Sequence, residues 1–513
     1  MSLNTNSVHE GTSQAKGTEV RDLSAFRLKQ IKFENYRCFE RLTLDLHPNL
    51  TVIVGTNGAG KTAILDGIAT ALAPAVNWLS SANQRLGNEL PTDDEQLEKT
   101  DPTGIEDKDF RITRWGEGRK REFTKRAEIA RIAIETTSGL KWDTWQASIK
   151  GKKPAQEIGQ QVLHQELLRI QDSFGTEARD YLPVFAYYGV GRGNFTLPQR
   201  LRDNELNYSY PTTALHQSLN AVTDMRELLV WFDSEEAAEL RQNRYVEGND
   251  FDPSPILQTV RSALESLLGK AYRNPRINKE RKLVVDAEQG PSPLLVNQLS
   301  QGYQSMLALA MDYARRQGIA NVELFERNAD TAKLYDHDFQ PIKQQPFLQK
   351  INLENLECEP LQYTPGVVLI DEVDLHLHPQ WQQRVLTDLL KTFPLTQFIV
   401  TTHSPQVLST VPAECIRMIR NDEAGINVTT PSFSPLAHEA GDALTRILGT
   451  HKTPDLPLLD DIRRYELMVR KNQESSPEAQ TLLAKLEQAG YQVHDSDLAT
   501  WRFLAQRQHN KEG

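Results

Sequence analysis

The sequence predicts an α/β fold: a doubly wound, largely parallel sheet around a phosphate-binding loop. Three observations predict this. Gly55-Thr56-Asn57-Gly58-Ala59-Gly60-Lys61-Thr62 is a full G-x-x-x-x-G-K-T, set between an apolar run, Leu50 to Val54, and a helix-like run, Ala63 to Ala73. Gly366 to Glu372 is a second apolar run, ending in the carboxylates Asp371 and Glu372. A third, Gln397 to Val400, ends in Thr401-Thr402-His403-Ser404-Pro405. Short apolar runs of this kind read as strands buried on both faces.

The first motif is a phosphate site because of its strand–loop–helix context. Gly55, Gly58 and Gly60, with Asn57 and Ala59 between them, let the backbone wrap phosphates with its N–H groups inward. Lys61 adds a mobile positive charge, and the Thr62 hydroxyl can take one Mg²⁺ coordination position. The helix that starts near Gly60 points its positive dipole end at the anion.

The carboxylates of the second run stand where doubly wound sheets bind ligands, at strand C-termini. Asp371 is placed to hold Mg²⁺, directly or through water, and Glu372 to orient an attacking water. His403, at the end of the third run, can hydrogen-bond a terminal phosphate and sense its loss. Leu299-Ser300-Gln301-Gly302-Tyr303-Gln304 opens a helix expected over Ser305 to Arg316. Ser300 and Gly302 at its N-terminus read as a second anion site, or as an ordinary helix cap.

The order of these four motifs resembles the ATP-binding-cassette class of ATPases, and within it the SMC/RecF/Rad50-like, DNA-associated group. Phe26 to Phe39 resembles the opening hairpin of that group, which implies that Arg37 lies near the nucleotide. Asp371-Glu372-Val373-Asp374-Leu375-His376-Leu377-His378-Pro379 is similar to the E-x-D-x-H-L-H-P form of OLD ATPases, of the virulence-linked ATP-binding set and of the PtuA-like ATPases of Septu and retron anti-phage systems. Phe185-Ala186-Tyr187-Tyr188-Gly189-Val190-Gly191-Arg192 resembles a segment of the latter two. The resemblance covers about residues 25–75 and 180–430. It implies ATP and Mg²⁺ as ligands, and a head-to-tail homodimer or larger even-numbered oligomer in which Ser300 and Gly302 of one head close the phosphate site of another. It implies ATPase chemistry carried by Lys61, Glu372 and His403. The chain departs from the pattern at Gln301, Tyr303 and His378, and Gln199 is the nearest residue to a Q-loop glutamine.

The expected organisation is a tail over residues 1–24, polar and disordered, an ATPase head over 25–434, and a helical interaction region over 435–513. Within the head, 76–298 carries inserted strands and the helical lid, and 318–365 is a second insertion. Arg126 to Ile134 and Leu140 to Trp145 read as strands. Pro154 to Phe174 reads as an amphipathic helix through Ile158, Val162, Leu163, Leu167 and Ile170. Leu215 to Phe232 and Ile256 to Leu268 also carry helical spacing. The intervals are too short and too broken by Pro and Gly for a long coiled coil. After residue 430, Leu436 to Leu448, Leu456 to Lys471, Pro477 to Ala489 and Leu498 to Gln508 read as helices. Asp495-Ser496-Asp497 follows a short strand-like run, but the tail has too few strands for a metal-dependent nuclease sheet.

Composition narrows the function further. No apolar stretch approaches the roughly 20 residues of a membrane helix, and residues 1–22 have no signal-peptide core; a cytoplasmic chain without membrane contact is expected. Cys38, Cys358 and Cys415 form no C-x-x-C pair. The formal net charge of -11 weakens direct nucleic-acid binding, with Arg111 to Arg121 and Arg273 to Lys282 as the local basic exceptions. The resemblance then implies the ATPase of an anti-phage system that senses for, or gates, a separate HNH-type nuclease. A retron-type RNA–DNA hybrid or another nucleic acid is a candidate ligand. The alternatives are a RecF- or Rad50-like repair ATPase that binds DNA directly, and an NTP-gated scaffold with negligible turnover.

Overall fold

The structure is a computed structural model describing residues 26–80, 104–115, 123–149, 152–174, 180–193, 208, 210–221, 225–245, 251–290, 293–326, 360–422, 425–450, 456, 458–494 and 496–503. Two compact units divide the chain between Ala443 and Leu444.

The first unit opens with strands β1 (Leu28–Tyr36) and β2 (Phe39–Asp45), paired antiparallel. Their alternating burial puts Ile31, Phe33, Leu42 and Leu44 inside. Next come β3 (Leu50–Gly55) and helix α1 (Lys61–Ser80). A hairpin, β4 (Ile112–Trp115) and β5 (Phe123–Arg126), precedes β6 (Ile129–Thr136) and β7 (Lys141–Ala147). Then follow α2 (Gln161–Ser173), β8 (Val184–Tyr188), α3 (Met225–Gln242) and α4 (Pro255–Leu268). A small meander, β9 (Tyr272–Ile277), β10 (Leu283–Ala287) and β11 (Leu294–Leu295), leads into α5 (Gln301–Glu326). The unit continues with β12 (Gly366–Ile370), α6 (Val385–Thr392), β13 (Thr396–Thr401), β14 (Ile416–Asp422) and β15 (Gly425–Thr429).

The main sheet has the order β15-β14-β3-β13-β12-β8. All its pairs are parallel except β14 with β15. Ile370 pairs with both Val400 and Tyr188, so β12, β13 and β8 end level with one another. A second, antiparallel sheet has the order β2-β1-β6-β7. Gln397 on β13 staples the two sheets: its amide accepts from Leu28 N (2.7 Å) and donates to Leu28 O (2.7 Å) and His47 O (2.9 Å). α1 lies between them, with Trp142 Nε1 donating to Ala71 O at 2.7 Å. This is the α/β head expected from the sequence.

Several boundaries differ from the expected ones. α1 is 20 residues long and apolar enough to pass for a membrane span, contrary to the reading that no stretch approaches that length. It is mostly buried and packs against both sheets, so its apolarity serves the core. The helix expected over 215–232 runs instead over Met225–Gln242, and Pro211–Leu215 is a 3₁₀ turn. Leu215 and Leu219 are buried there without being α-helical. α2 begins at Gln161; Ile158 precedes it, its N–H held by Asp143 Oδ2 (3.0 Å), and Val162 is exposed. α5 extends through Glu326 into the interval read as a second insertion. Its later turns are buried through Asp312, Arg315, Arg316, Gln317 and Asn321, polar residues that composition assigns to a surface. Residues 1–25, most of the second insertion, Gln199 and Arg119 to Arg121 lie outside the described residues.

The second unit holds the helices α7 (Leu458–Arg470) and α8 (Pro477–Gln488), after a short helix at Ala440–Arg446 that begins in the first unit. Tyr465, Val469, Ala479 and Leu486 form its core, with Leu482, Tyr491 and Trp501 against them. Tyr491 to His494 is not a strand, and Asp495 is outside the described residues.

Candidate nucleotide site

The P-loop leaves β3 at the centre of the main sheet. Gly58 (φ 78°) and Gly60 (φ 96°) occupy left-handed backbone that side chains disfavour. A Cβ at Gly60 would lie 2.7 Å from Cys38 Sγ and 2.7 Å from the Phe39 ring, so the β1–β2 turn seals one side of the loop. Lys61 is buried, and its Nζ donates to Gly55 O (3.0 Å) and Thr56 O (3.1 Å). Burial holds its ammonium below the ordinary lysine value, and Asp371, Glu372 and Asp374 pull it partly back.

Asp371 follows the last residue of β12 and is buried. Its Oδ2 accepts from Thr62 Oγ1 (2.8 Å) and its Oδ1 from Thr401 Oγ1 (2.5 Å). Its backbone N–H donates to Tyr188 O at 2.9 Å. The fold thus brings the P-loop threonine, the acidic strand and the end of β13 to one point. Thr401 was not singled out from the sequence as a site residue. It also accepts from Glu372 N (2.7 Å), so one hydroxyl bridges both carboxylate-bearing residues.

Glu372 has φ 49°, an uncommon backbone for a residue with a side chain. Asp374 accepts a hydrogen bond from the Thr402 hydroxyl. His403 follows directly and is half-buried, and Ser404 caps the short helix Pro405–Leu408. His378 is the N-cap of the helix Pro379–Gln382, its Nδ1 accepting from Gln380 N at 3.4 Å. The H-L-H-P form therefore has a local cause: the second His caps a helix and the Pro fits its first position.

Arg37, in the β1–β2 turn, has its charge engaged. Its Nε donates to Asp109 Oδ1 (2.8 Å), its Nη1 pairs with Asp66 on α1, and its guanidinium lies over the Tyr36 ring (5.3 Å). Asp66 also accepts from Tyr187 OH at 2.7 Å. Asp66 and Tyr187 had no sequence signal beyond their position one turn after the P-loop and at a strand end.

Ser300 caps α5, its Oγ accepting from Tyr303 N at 3.5 Å, and is exposed. Gly302 is buried against the segment after the acidic strand; a Cβ there would lie 2.6 Å from His376 O. Tyr303 sits edge-on to Tyr272 (4.6 Å) and Trp381 (4.3 Å). The two departures at Tyr303 and the H-L-H-P segment thus pack together in one chain.

Several described side chains of the basic candidates are paired with carboxylates. Arg276 pairs with Asp286 (2.8 Å), Arg281 with Asp233 (2.7 Å), Lys282 with Glu280 (3.5 Å) and Arg111 with Glu40 (3.2 Å).

A family model described as "AAA domain" matches residues 30–270. A second, described as "AAA domain, putative AbiEii toxin, Type IV TA system", matches residues 224–409. The chain is similar to the "Retron Vc95 probable ATPase" of Vibrio cholerae serotype O1 biovar El Tor, 24% identical over 496 residues, spanning 87% of this chain and 84% of that one. It is similar to the "Retron Ec83 probable ATPase" of Escherichia coli, 26% identical, over 77% of this chain and 72% of that one. The match to "Septu protein PtuA" of Bacillus mycoides (strain KBAB4) is 26% identical, over 52% of this chain and 35% of that one. Among solved structures, an SMC head bound to the C-winged helix domain of ScpA aligns over 79% of this chain and 97% of that one, at 13% identity and a TM-score of 0.35.

Proposed function

We propose, for a chain that carries AAA-type ATPase domains, that it binds and hydrolyses ATP as the regulatory subunit of a prokaryotic anti-phage defence system. One observation carries the ATPase reading. The Asp371 carboxylate is held between the hydroxyls of Thr62 and Thr401, with Glu372 fixed beside it. The residues fit the ligands the family implies: a glycine cradle at left-handed φ, a buried ammonium and a hydroxyl–carboxylate pair. Thr62 and Asp371 would hold Mg²⁺, which when bound supplies charge neutralisation to the phosphates.

The chain's own residues do the rest. The P-loop N–H groups and Lys61 bind and orient the phosphates, and Lys61 exchanges two backbone carbonyls for them. Glu372 positions and deprotonates the attacking water. His403 reads the terminal phosphate. Ser300 and Gly302 close the site of a second head in a head-to-tail dimer.

Retron and Septu relatives support the defence context. The finer reading is that nucleotide state gates a separate HNH-type nuclease, which docks on the second unit or on the interval after α5. Matches to RecF proteins span only short segments, 42 residues in one case, and lend less to a direct repair role.

The test has two arms. Glu372→Gln is expected to retain ATP and lose turnover by at least ~100-fold, while Lys61→Ala loses nucleotide affinity. Unchanged hydrolysis by Glu372→Gln rejects the site. For the gate, the chain alone is offered single- and double-stranded nucleic acid with Mg²⁺ or Mn²⁺. Robust cleavage without any partner rejects a separate effector.

A further inference from the structure

The segment Phe185 to Arg192 plays no part in the reaction as described so far. β8 is wholly buried and ends at Tyr188. Gly189 then turns tightly: its N–H donates to Ala221 O at 2.8 Å, and a Cβ would lie 2.8 Å from that same oxygen. The turn carries the chain into a short 3₁₀ stretch, Val190–Gly193, and delivers Arg192 to the end of the acidic strand.

Arg192 is only 3% exposed. Its guanidinium donates to three backbone carbonyls: Gly189 O (3.2 Å), Asp371 O and, through Nη2, Glu372 O (2.5 Å). Burial pulls its pKa down to about 10, against the upward pull of Asp371, Asp374 and Glu372; it stays charged at neutral pH. A buried cation is costly unless its donors are used, and here two of its three acceptors belong to consecutive residues, Asp371 and Glu372.

The second of these has a backbone that needs holding. Glu372 adopts φ 49°, a conformation that persists only where its surroundings impose it. Its N–H is held by Thr401 Oγ1 (2.7 Å). Its carbonyl accepts from Arg192 and from Leu375 N (2.9 Å). The peptides on both sides of the Glu372 Cα are thereby fixed, and with them the direction of its Cα–Cβ bond.

We propose that Arg192 is a positioning residue for Glu372: it clamps the consecutive carbonyls of Asp371 and Glu372 and so aims the carboxylate at the attacking water. This rests on the reading that Glu372 serves ATP hydrolysis. Lysine offers a single point charge in place of a planar fork, so it cannot span two carbonyls in the same way. The clamp therefore requires arginine, and charge alone does not replace it.

The experiment compares the full-length wild-type chain with Arg192→Lys, Arg192→Ala, Glu372→Gln and the Arg192→Ala/Glu372→Gln pair. MgATP affinity, thermal midpoint and kcat are measured for each. Arg192→Ala is expected to bind MgATP within about threefold of wild type and to lose kcat on the order of 10- to 100-fold, the scale of a misplaced reacting group. Arg192→Lys should fold with a near-wild-type midpoint and recover part of that loss. The pair should be no slower than Glu372→Gln alone, because a misaimed carboxylate and a missing one are the same defect. Wild-type kcat in Arg192→Ala, or an equal loss in both backgrounds, would overturn the proposal. If Arg192→Ala does not fold, Arg192→Lys decides: full kcat there overturns the clamp, and reduced kcat with retained affinity and midpoint supports it. A wild-type chain that binds MgATP and does not hydrolyse it overturns the ATPase reading and this inference together, which separates that failure from the others.

Discussion

Thr62 Oγ1 donates to Asp371 Oδ2 at 2.8 Å across 309 positions of sequence. The P-loop and the acidic strand are therefore joined directly through their side chains. β3 and β12 are not neighbours; β13 lies between them and contributes Thr401 to the same carboxylate.

Thr62→Ala removes one of the two hydroxyls on Asp371 and one expected Mg²⁺ position. A hydrogen bond to a charged group contributes about 1.5–3 kcal/mol. The Mg²⁺ concentration that gives half-maximal hydrolysis should rise on the order of tenfold or more, while nucleotide binding in chelator changes little. A Mg²⁺ titration of ATPase rate checks this, and an unshifted midpoint removes Thr62 from the metal.

Lys61 gives the chain a pH signature. Its ammonium is held below the ordinary lysine value by burial. Between its folded value and its unfolded one, the folded chain binds fewer protons than the unfolded chain. Folding stability contributed by this group therefore rises with pH through that window. Phosphate beside the ammonium raises its pKa again. Nucleotide binding at a pH just below the ordinary lysine value of ~10.4 is expected to take up protons. Calorimetry in buffers of different ionisation enthalpy measures it; a binding heat that is independent of buffer contradicts the assignment.

The signature offers one clean probe and one confounded probe. Ser300 is exposed, so Ser300→Arg should leave stability within about 0.5 kcal/mol, spare ATP binding and abolish hydrolysis if a second head closes there. Gly302 has a backbone carbonyl where its Cβ would go, 2.6 Å away at His376. Gly302→Ala should cost about 1–3 kcal/mol of stability even in a lone chain, read as a lower denaturation midpoint. Full hydrolysis by a strictly monomeric chain at high dilution would exclude closure in trans.

The site was legible in the sequence where its chemistry is local. Gly55 to Thr62, Asp371 and Glu372 carry their meaning in spacing alone, and the fold brings Thr62 and Asp371 together as that meaning requires. Thr401 and Arg192 were not legible as site residues, since each acts through contacts with residues remote in sequence. α5 was read too short because Gln317, Gly318 and Asn321 interrupt its apolar pattern after Arg316; Gln317 and Asn321 are buried instead, donating to Thr364 O and Leu182 O. Asp312, Arg315 and Arg316, within the expected helix, are buried as a mutually neutralised group, Asp312 receiving both arginines and the Tyr188 hydroxyl. The helix expected from 215 was misplaced because a 3₁₀ turn can bury leucines at the same intervals as a helical face.

α1 has a consequence for how the chain is made. It is the most membrane-like helix of the described residues, and part of its cover is the main sheet. β8 follows it by about a hundred residues, and β12 and β13 end only at Ile370 and Thr401. At roughly 5–20 residues per second of synthesis, the newly made helix waits on the order of tens of seconds for its last strand. During that interval its face toward β12 and β13 stays uncovered, although β6, β7 and the helix Gln161–Ser173 already pack against it. Fragments that stop before residue 401 keep part of that face uncovered.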